Sequence, residues 1–207
     1  MNILITAGGT REYIDPVRFI SNASTGKMGY ALARAAIKAG HSVTLITAPT
    51  FLGKPADARI VEVETSSEMF EAVKGYFSQS DCLIMAAAVS DYKPEKASNT
   101  KIKKCDAELT IKLTPTQDIL KWAGCNKSMG QFIAGFALED KSLKENAEGK
   151  LKNKNLDMII ANSPGAIGAE KSTVYIKTPA TDWLEIPETK KEETAATIIR
   201  MIDNCRK

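Results

Sequence analysis

One histidine serves a chain of 207 residues. It is His41, in the turn between the first predicted helix and the second predicted strand, at that strand's amino end. In an open α/β sheet that is the wrong edge for chemistry, which counts against any histidine-dependent triad. The four cysteines, Cys82, Cys105, Cys125 and Cys205, include no Cys-x-x-Cys pair. That argues against a zinc site and for free thiols in a reducing cytoplasm. No run approaches the ~20 apolar residues of a membrane span. The first apolar stretch is broken by Gly8-Gly9 too soon to be the core of a signal peptide. Charge of one sign is also scarce: 28 basic against 25 acidic side chains leave +3. So small an excess makes no general case for nucleic acid or a membrane surface as partner.

What is present is the composition of one globular core, 43% hydrophobic and 26% charged. Short apolar runs alternate with helical patterns. Strands are predicted at residues 2–6, 42–47, 59–63, 82–88, 131–136 and 158–161, and helices at 24–39, 68–77, 116–123, 141–152 and 190–204. The run "CLIMAAA" is apolar throughout, as suits a strand covered on both faces. Residues 108–113 ("ELTIKL") alternate with period two and predict a further strand; 173–177 and 183–186 predict a hairpin. The implied fold is α/β: a three-layer, Rossmann-like arrangement with a mainly parallel sheet, helices on both faces and an antiparallel hairpin at one edge. No linker divides residues 1–207, so a single domain is expected. A polar arm at about 90–114 is too irregular for core and has the length of a lid or contact arm.

Ligands of such sheets sit beyond the carboxyl ends of the strands. After the first strand comes "AGGTREYIDPVRFISNASTGKMG". It is neither a Walker loop nor Gly-x-Gly-x-x-Gly. Gly8, Gly9 and Thr10 allow close backbone approach to a ligand. Ser24, Thr25 and Gly26 lead into a helix whose N-terminus favours an anion, with Ser24 as candidate N-cap. A glycine-rich turn before an ordinary capped helix is the alternative. Asp91, after the fourth strand, can accept from a ligand, help hold a hydrated Mg²⁺ or cap a turn. Lys101, Lys103 and Lys104 are either a solvated face or an arm able to close on a polyphosphate. Lys150 and Lys154 share a helical face, suited equally to an anion and to the helix C-terminus. Cys105 lies beside two lysines that would lower its pKa, but it has no histidine nearby in the sequence.

Several separated segments, "TAGGTREYIDPVRFISNASTGKMG", "AAAVSDYKP", "KIKK" and "NKNLDMIIAN", together resemble the phosphopantothenate–cysteine ligase family of coenzyme A biosynthesis over nearly the whole chain. In many bacteria this ligase is fused behind a flavin-dependent decarboxylase. Because the chain begins at the ligase segment, the resemblance implies a stand-alone form without flavin. It further implies the cosubstrate CTP, Mg²⁺, an acyl-cytidylate intermediate, attack by L-cysteine on 4′-phosphopantothenate activated in that way, and a homodimer.

By motif, Asn22 is implied to turn over the intermediate, its amide donating to the acyl oxyanion, and to bind substrate with Ser24, Thr25 and Gly26. Lys101 is implied to serve the second half-reaction and to touch the nucleotide. Met85, Ala86, Ala87, Asp91, Asp118, Ile119, Phe136, Lys150 and Lys154 match nucleotide-contacting positions, and Gly8, Gly9 and Thr10 are expected beside them. "TQDI" stands where "NPDI" is the family's pattern, which leaves Thr116 and Gln117 without a role. For phosphate, Lys101, Lys150 and Lys154 are expected to matter more than Lys27. Two other classes compete: an NAD(P)-dependent oxidoreductase, weakened because "TLITAP" ends the second strand without an acid, and a non-catalytic nucleotide-binding protein.

Overall fold

A computed structural model describes residues 1–104 and 108–206 of the chain. Strand β1 (Asn2–Ala7) is followed by a small hairpin, β2 (Arg11–Tyr13) and β3 (Phe19–Ser21), and by helix α1 (Lys27–Lys38). Next come β4 (Ser42–Thr47), β5 (Ala58–Glu62), α2 (Ser66–Phe77) and β6 (Cys82–Met85), then two short strands, β7 (Tyr92–Pro94) and β8 (Leu113–Pro115). The chain continues through α3 (Ile119–Cys125), β9 (Phe132–Leu138), α4 (Leu143–Asn153) and β10 (Met158–Asn162). It closes with β11 (Lys171–Lys177), β12 (Leu184–Lys190) and α5 (Lys191–Cys205).

Eight strands form one sheet in the order β12-β11-β10-β9-β6-β1-β4-β5. Pairing is parallel from β10 to β5 and antiparallel at the β10–β11–β12 edge. The expected α/β architecture is therefore observed. Alternation along each strand builds two cores. Ile3, Ile5, Leu45, Ile84 and Ile160 face α1 and α5, whereas Leu4, Ile46, Leu83, Ile133 and Ile159 face α2, α3 and α4. Each such fully buried side chain contributes about 1.5–3 kcal/mol over exposure.

The order reverses between β1 and β6: from β1 the chain crosses outward to β4, and it returns to place β6 on the other side. Loops diverging there leave a crevice at the carboxyl ends. The two loops are tied across that gap by a bridge between Gly9 and Ala88 and by a hydrogen bond from Ser90 N to Thr10 Oγ1 at 2.9 Å.

Four local expectations are corrected. Helix α1 starts at Lys27 rather than at residue 24, and its N-cap is Gly26 at φ +78° with no side-chain cap. The Ser24 hydroxyl accepts instead from Gly26 N at 3.3 Å, because the chain makes a left-handed turn at Gly26 before it becomes helical. Residues 108–112 form no strand; Leu113–Pro115 pairs with Tyr92–Pro94, away from the main sheet. Alternation there lacks a layer to bury against, and Leu109 is exposed. The "CLIMAAA" ladder ends at Met85. Helix α3 begins at Ile119, capped by Asp118, whose Oδ1 accepts from Lys121 N at 2.9 Å. His41 lies beside Asp203 at the edge opposite the crevice, as expected. Cys105 lies outside the described residues.

Candidate functional site

The crevice holds a cavity of about 490 Å³, within the usual range for small-molecule sites. Residues Met85, Ala86 and Ala87, at and just beyond the end of β6, form one wall, and the loop continues through Val89 to Asp91. The start of α1 supplies Ser24, Thr25, Gly26, Lys27 and Met28. Phe136 comes from β9, Asp118 and Ile119 from the start of α3, and Lys150 and Lys154 from the end of α4. Asn162, the 166–168 turn and Lys191 complete the lining.

Asn22 also lines this cavity, just after β3. Its Nδ2 donates to Ala88 O at 3.2 Å and Val89 O at 3.1 Å. Two carbonyl acceptors fix which end of the amide carries the hydrogens. Oδ1 has no protein partner among the described residues, so the amide offers the cavity an acceptor. An oxyanion donor is expected here from the sequence; in this arrangement both donor hydrogens are engaged by backbone carbonyls and the oxygen is the atom left for a ligand.

The structure gathers Asn22, Ser24, Thr25, Gly26, Met85, Ala86, Ala87, Asp91, Asp118, Ile119, Phe136, Lys150 and Lys154 around one space. Thr116 and Gln117 line it as well. Gly8, Gly9 and Thr10 do not; all three are buried beneath the lining. A Cβ at Gly9 would lie 2.8 Å from Asn22 O, so this glycine lets the Asn22 loop settle on β1. Their close backbone approach is to protein.

Lys101 is likewise outside the lining, exposed on the arm. Its neighbour Ile102 is held at both backbone groups by the β2–β3 turn. Ile102 N donates to Asp15 Oδ2 at 3.1 Å, and Arg18 Nη2 donates to Ile102 O at 2.8 Å. Asp15 is buried, and the Arg18 guanidinium, helped by the Val17, Arg18 and Ile102 N–H groups, holds its carboxyl well below the usual carboxylate range.

Lys150 and Lys154 are already neutralised. Lys150 Nζ sits 2.7 Å from Glu139 Oε1, and Lys154 Nζ 2.8 Å from Asp118 Oδ2. Partial burial, the largest single influence, works against the charge of Asp118, but the Lys154 ammonium together with the Lys121 N–H and ammonium outweighs it and the pKa is lowered. Lys27, ranked below them from the sequence, lines the cavity at the α1 N-terminus, paired with Glu170. Lys191, not singled out from the sequence, is 7% exposed and lines it too. No spacing rule signals it, since only the sheet order brings the start of α5 to the crevice.

No group of three or more His, Cys, Asp or Glu suited to a metal occurs among the described residues. Of the two carboxylates in the lining, Asp118 is held by Lys154, while Asp91 forms no ion pair among the described residues. One carboxylate free of ion pairs in the cavity lining is compatible with Mg²⁺ carried in by phosphates, since that ion is commonly bound through one or two carboxylates plus substrate phosphates.

Residues 1–205 match the family model described as the DNA/pantothenate metabolism flavoprotein C-terminal domain. The chain belongs to this family. It is 43% identical over 202 residues to the coenzyme A biosynthesis bifunctional protein CoaBC of Borreliella burgdorferi, covering 97% of this chain and 52% of that one. Against the CoaBC protein of Bacillus subtilis it is 46% identical over 169 residues, 81% of this chain and 41% of that one. The chain thus spans about half the length, or less, of these curated relatives. A crystal structure of the C-terminal domain of a CoaBC protein superposes with a TM-score of 0.86 at 38% identity, covering 99% of this chain and 94% of that one.

Proposed function

We propose that this chain joins 4′-phosphopantothenate to L-cysteine through an acyl-cytidylate, consuming CTP and releasing pyrophosphate and CMP. The observation that carries the reading is that Asn22, the uncapped start of α1 and the nucleotide-matching residues of β6, β9, α3 and α4 share one cavity. Family membership and the high structural similarity to a CoaBC C-terminal domain support it.

In the first half-reaction the substrate carboxylate attacks the α-phosphorus of CTP and pyrophosphate leaves. Carboxylate and triphosphate bring several negative charges together. The free N–H groups of α1, with Lys27, Lys150 and Lys154, offset them. Lys150 and Lys154 exchange Glu139 and Asp118 for phosphate as the nucleotide enters. Mg²⁺, when bound with the phosphates, supplies further neutralisation, and Asp91 is the residue to hold it.

In the second half-reaction the neutral amine of cysteine attacks the acyl carbon and CMP departs. Asn22 Oδ1 accepts an N–H of that amine and aims its lone pair. No side chain forms a covalent bond to substrate, and flavin has no part in either step. A homodimer in the cytoplasm belongs to the same reading. The oxidoreductase alternative lacks a ribose-binding acid, because β4 runs from Thr47 into Ala48.

Incubation with 4′-phosphopantothenate, CTP, Mg²⁺ and cysteine is expected to release pyrophosphate and form the amide, with CTP outcompeting ATP. Absence of pyrophosphate with every nucleoside triphosphate tried overturns the reading.

A further inference from the structure

Lys191 opens α5, with only 7% of its surface exposed. Its Nζ donates to Ala166 O at 3.0 Å and has no carboxylate within 4 Å among the described residues. Two of its three N–H groups therefore lack a protein acceptor, and the residue lines the cavity. A buried ammonium without a directly paired carboxylate is costly, so it persists where a ligand completes it. Burial, with the nearby Lys27 ammonium, lowers its pKa against the opposing pull of the Glu170 and Glu192 carboxylates.

Lys27 approaches the same 166–170 segment, donating to Gly168 O at 3.4 Å and pairing with Glu170. Lys27 is itself the first residue of α1, which has no acidic residue in its first turn and no side-chain cap. The first intrahelical bond runs from Tyr30 N to Gly26 O, which leaves the N–H groups of Lys27, Met28 and Gly29 without an intrahelical acceptor. Two ammonium groups and a helix N-terminus thus stand against Glu170, which pairs with Lys27, and the more remote Glu192, neither of which forms an ion pair with Lys191.

We infer that Lys191, with Lys27 and the first turn of α1, forms a phosphate subsite in which Lys191 is the principal cation. The remaining lysine hydrogens and the helix N–H groups require several acceptor oxygens on one centre, which a phosphate provides and a carboxylate does not. The ligase reading enters only in naming two sources of that phosphate: the polyphosphate of the nucleotide and the phosphomonoester of 4′-phosphopantothenate.

Calorimetric titration of wild type, Lys191→Met and Lys191→Arg with inorganic pyrophosphate, CTP and 4′-phosphopantothenate tests this, alongside ligand-free thermal melting. The expected result for Lys191→Met is at least about tenfold weaker binding with an unchanged or raised melting temperature, and partial recovery in Lys191→Arg. Loss confined to pyrophosphate and CTP assigns the subsite to the polyphosphate; loss confined to 4′-phosphopantothenate assigns it to the phosphomonoester. Unchanged binding of all three probes overturns the subsite, as does a wild type that binds none of them. A lowered melting temperature with unchanged affinity makes Lys191 a prop for the Ala166 turn and also overturns it. Should Lys191→Met not fold, Lys27→Ala carries the test: about tenfold loss is expected there, and unchanged binding overturns the subsite. If binding falls in Lys191→Met while wild type releases no pyrophosphate from any nucleotide, the ligase reading fails and the subsite stands. If Lys191→Met turns over with wild-type kcat and KM, the subsite fails and the ligase reading stands.

Discussion

Asn22 donates both amide hydrogens to the Ala88 and Val89 carbonyls, and only its oxygen remains for a ligand. Replacement by Asp keeps the size of the side chain but turns a donor into a charged acceptor facing two carbonyl oxygens. The residue must then rotate, and its acceptor leaves the place where the proposed mechanism brings the amine. Asn22→Asp is therefore expected to form acyl-cytidylate and release one equivalent of pyrophosphate. Amide formation is expected to fall at least ~100-fold, about 2.7 kcal/mol in the barrier. Single-turnover assays with labelled CTP, with and without cysteine, measure the two steps separately; equal loss in both would show that Asn22 has no special part in the second. The sequence made most such residues legible because segments far apart in the chain matched one family pattern. It did not reveal Lys191, whose proposed part rests on burial without a paired carboxylate, nor the quenching of Lys150 and Lys154 by Glu139 and Asp118. Partnerships of this kind exist only once the sheet order is set.

At the scale of elements, the long strands and helices were legible because burial on one or both faces imposes a period. Ile3 and Ile5 point one way and Leu4 the other, and that pattern is written in the residues. Strands β2, β3, β7 and β8 are three residues each, too short to carry a period. The arm misled for a related reason, since residues 108–112 alternate without a core beneath them. What orders the arm's preceding part is the buried Asp15, with the exposed Arg18 paired to it, gripping Ile102, with a second tie from Ser98 N to Ile14 O at 2.9 Å. Because folding depresses the Asp15 pKa, its stabilisation is complete above the ordinary carboxylate value of about 4 and fades as pH falls through and below it. Asp15→Asn is expected to melt at a lower temperature than wild type by a constant margin across neutral pH, with the two curves converging in acid. Trypsin at neutral pH should cut the variant faster after Lys101, Lys103 or Lys104. Equal melting and equal cleavage at neutral pH would mean that the grip contributes nothing.

At the scale of the whole molecule, one proposed participant stands apart. Lys101 is exposed on the arm and does not line the cavity of its own chain. The arm rests on the β2–β3 hairpin, which exposes Val17 and Phe19 beside β7 and β8, where Tyr92 and Leu113 are also exposed. Apolar side chains grouped around a charged arm suit an isologous contact, in which each subunit's arm serves the other's cavity. Such sharing makes a prediction that self-contained sites do not. Asn22→Asp and Lys101→Gln are each expected to be inactive in amide formation when alone. If Lys101 acts across the interface, a mixed dimer of the two variants contains one site with both lesions and one with neither. Unfolding and refolding an equal mixture should then restore about a quarter of wild-type activity, since half the dimers are mixed and each has one of two sites intact. If Lys101 serves its own subunit, every site in the mixture keeps one lesion and no activity returns.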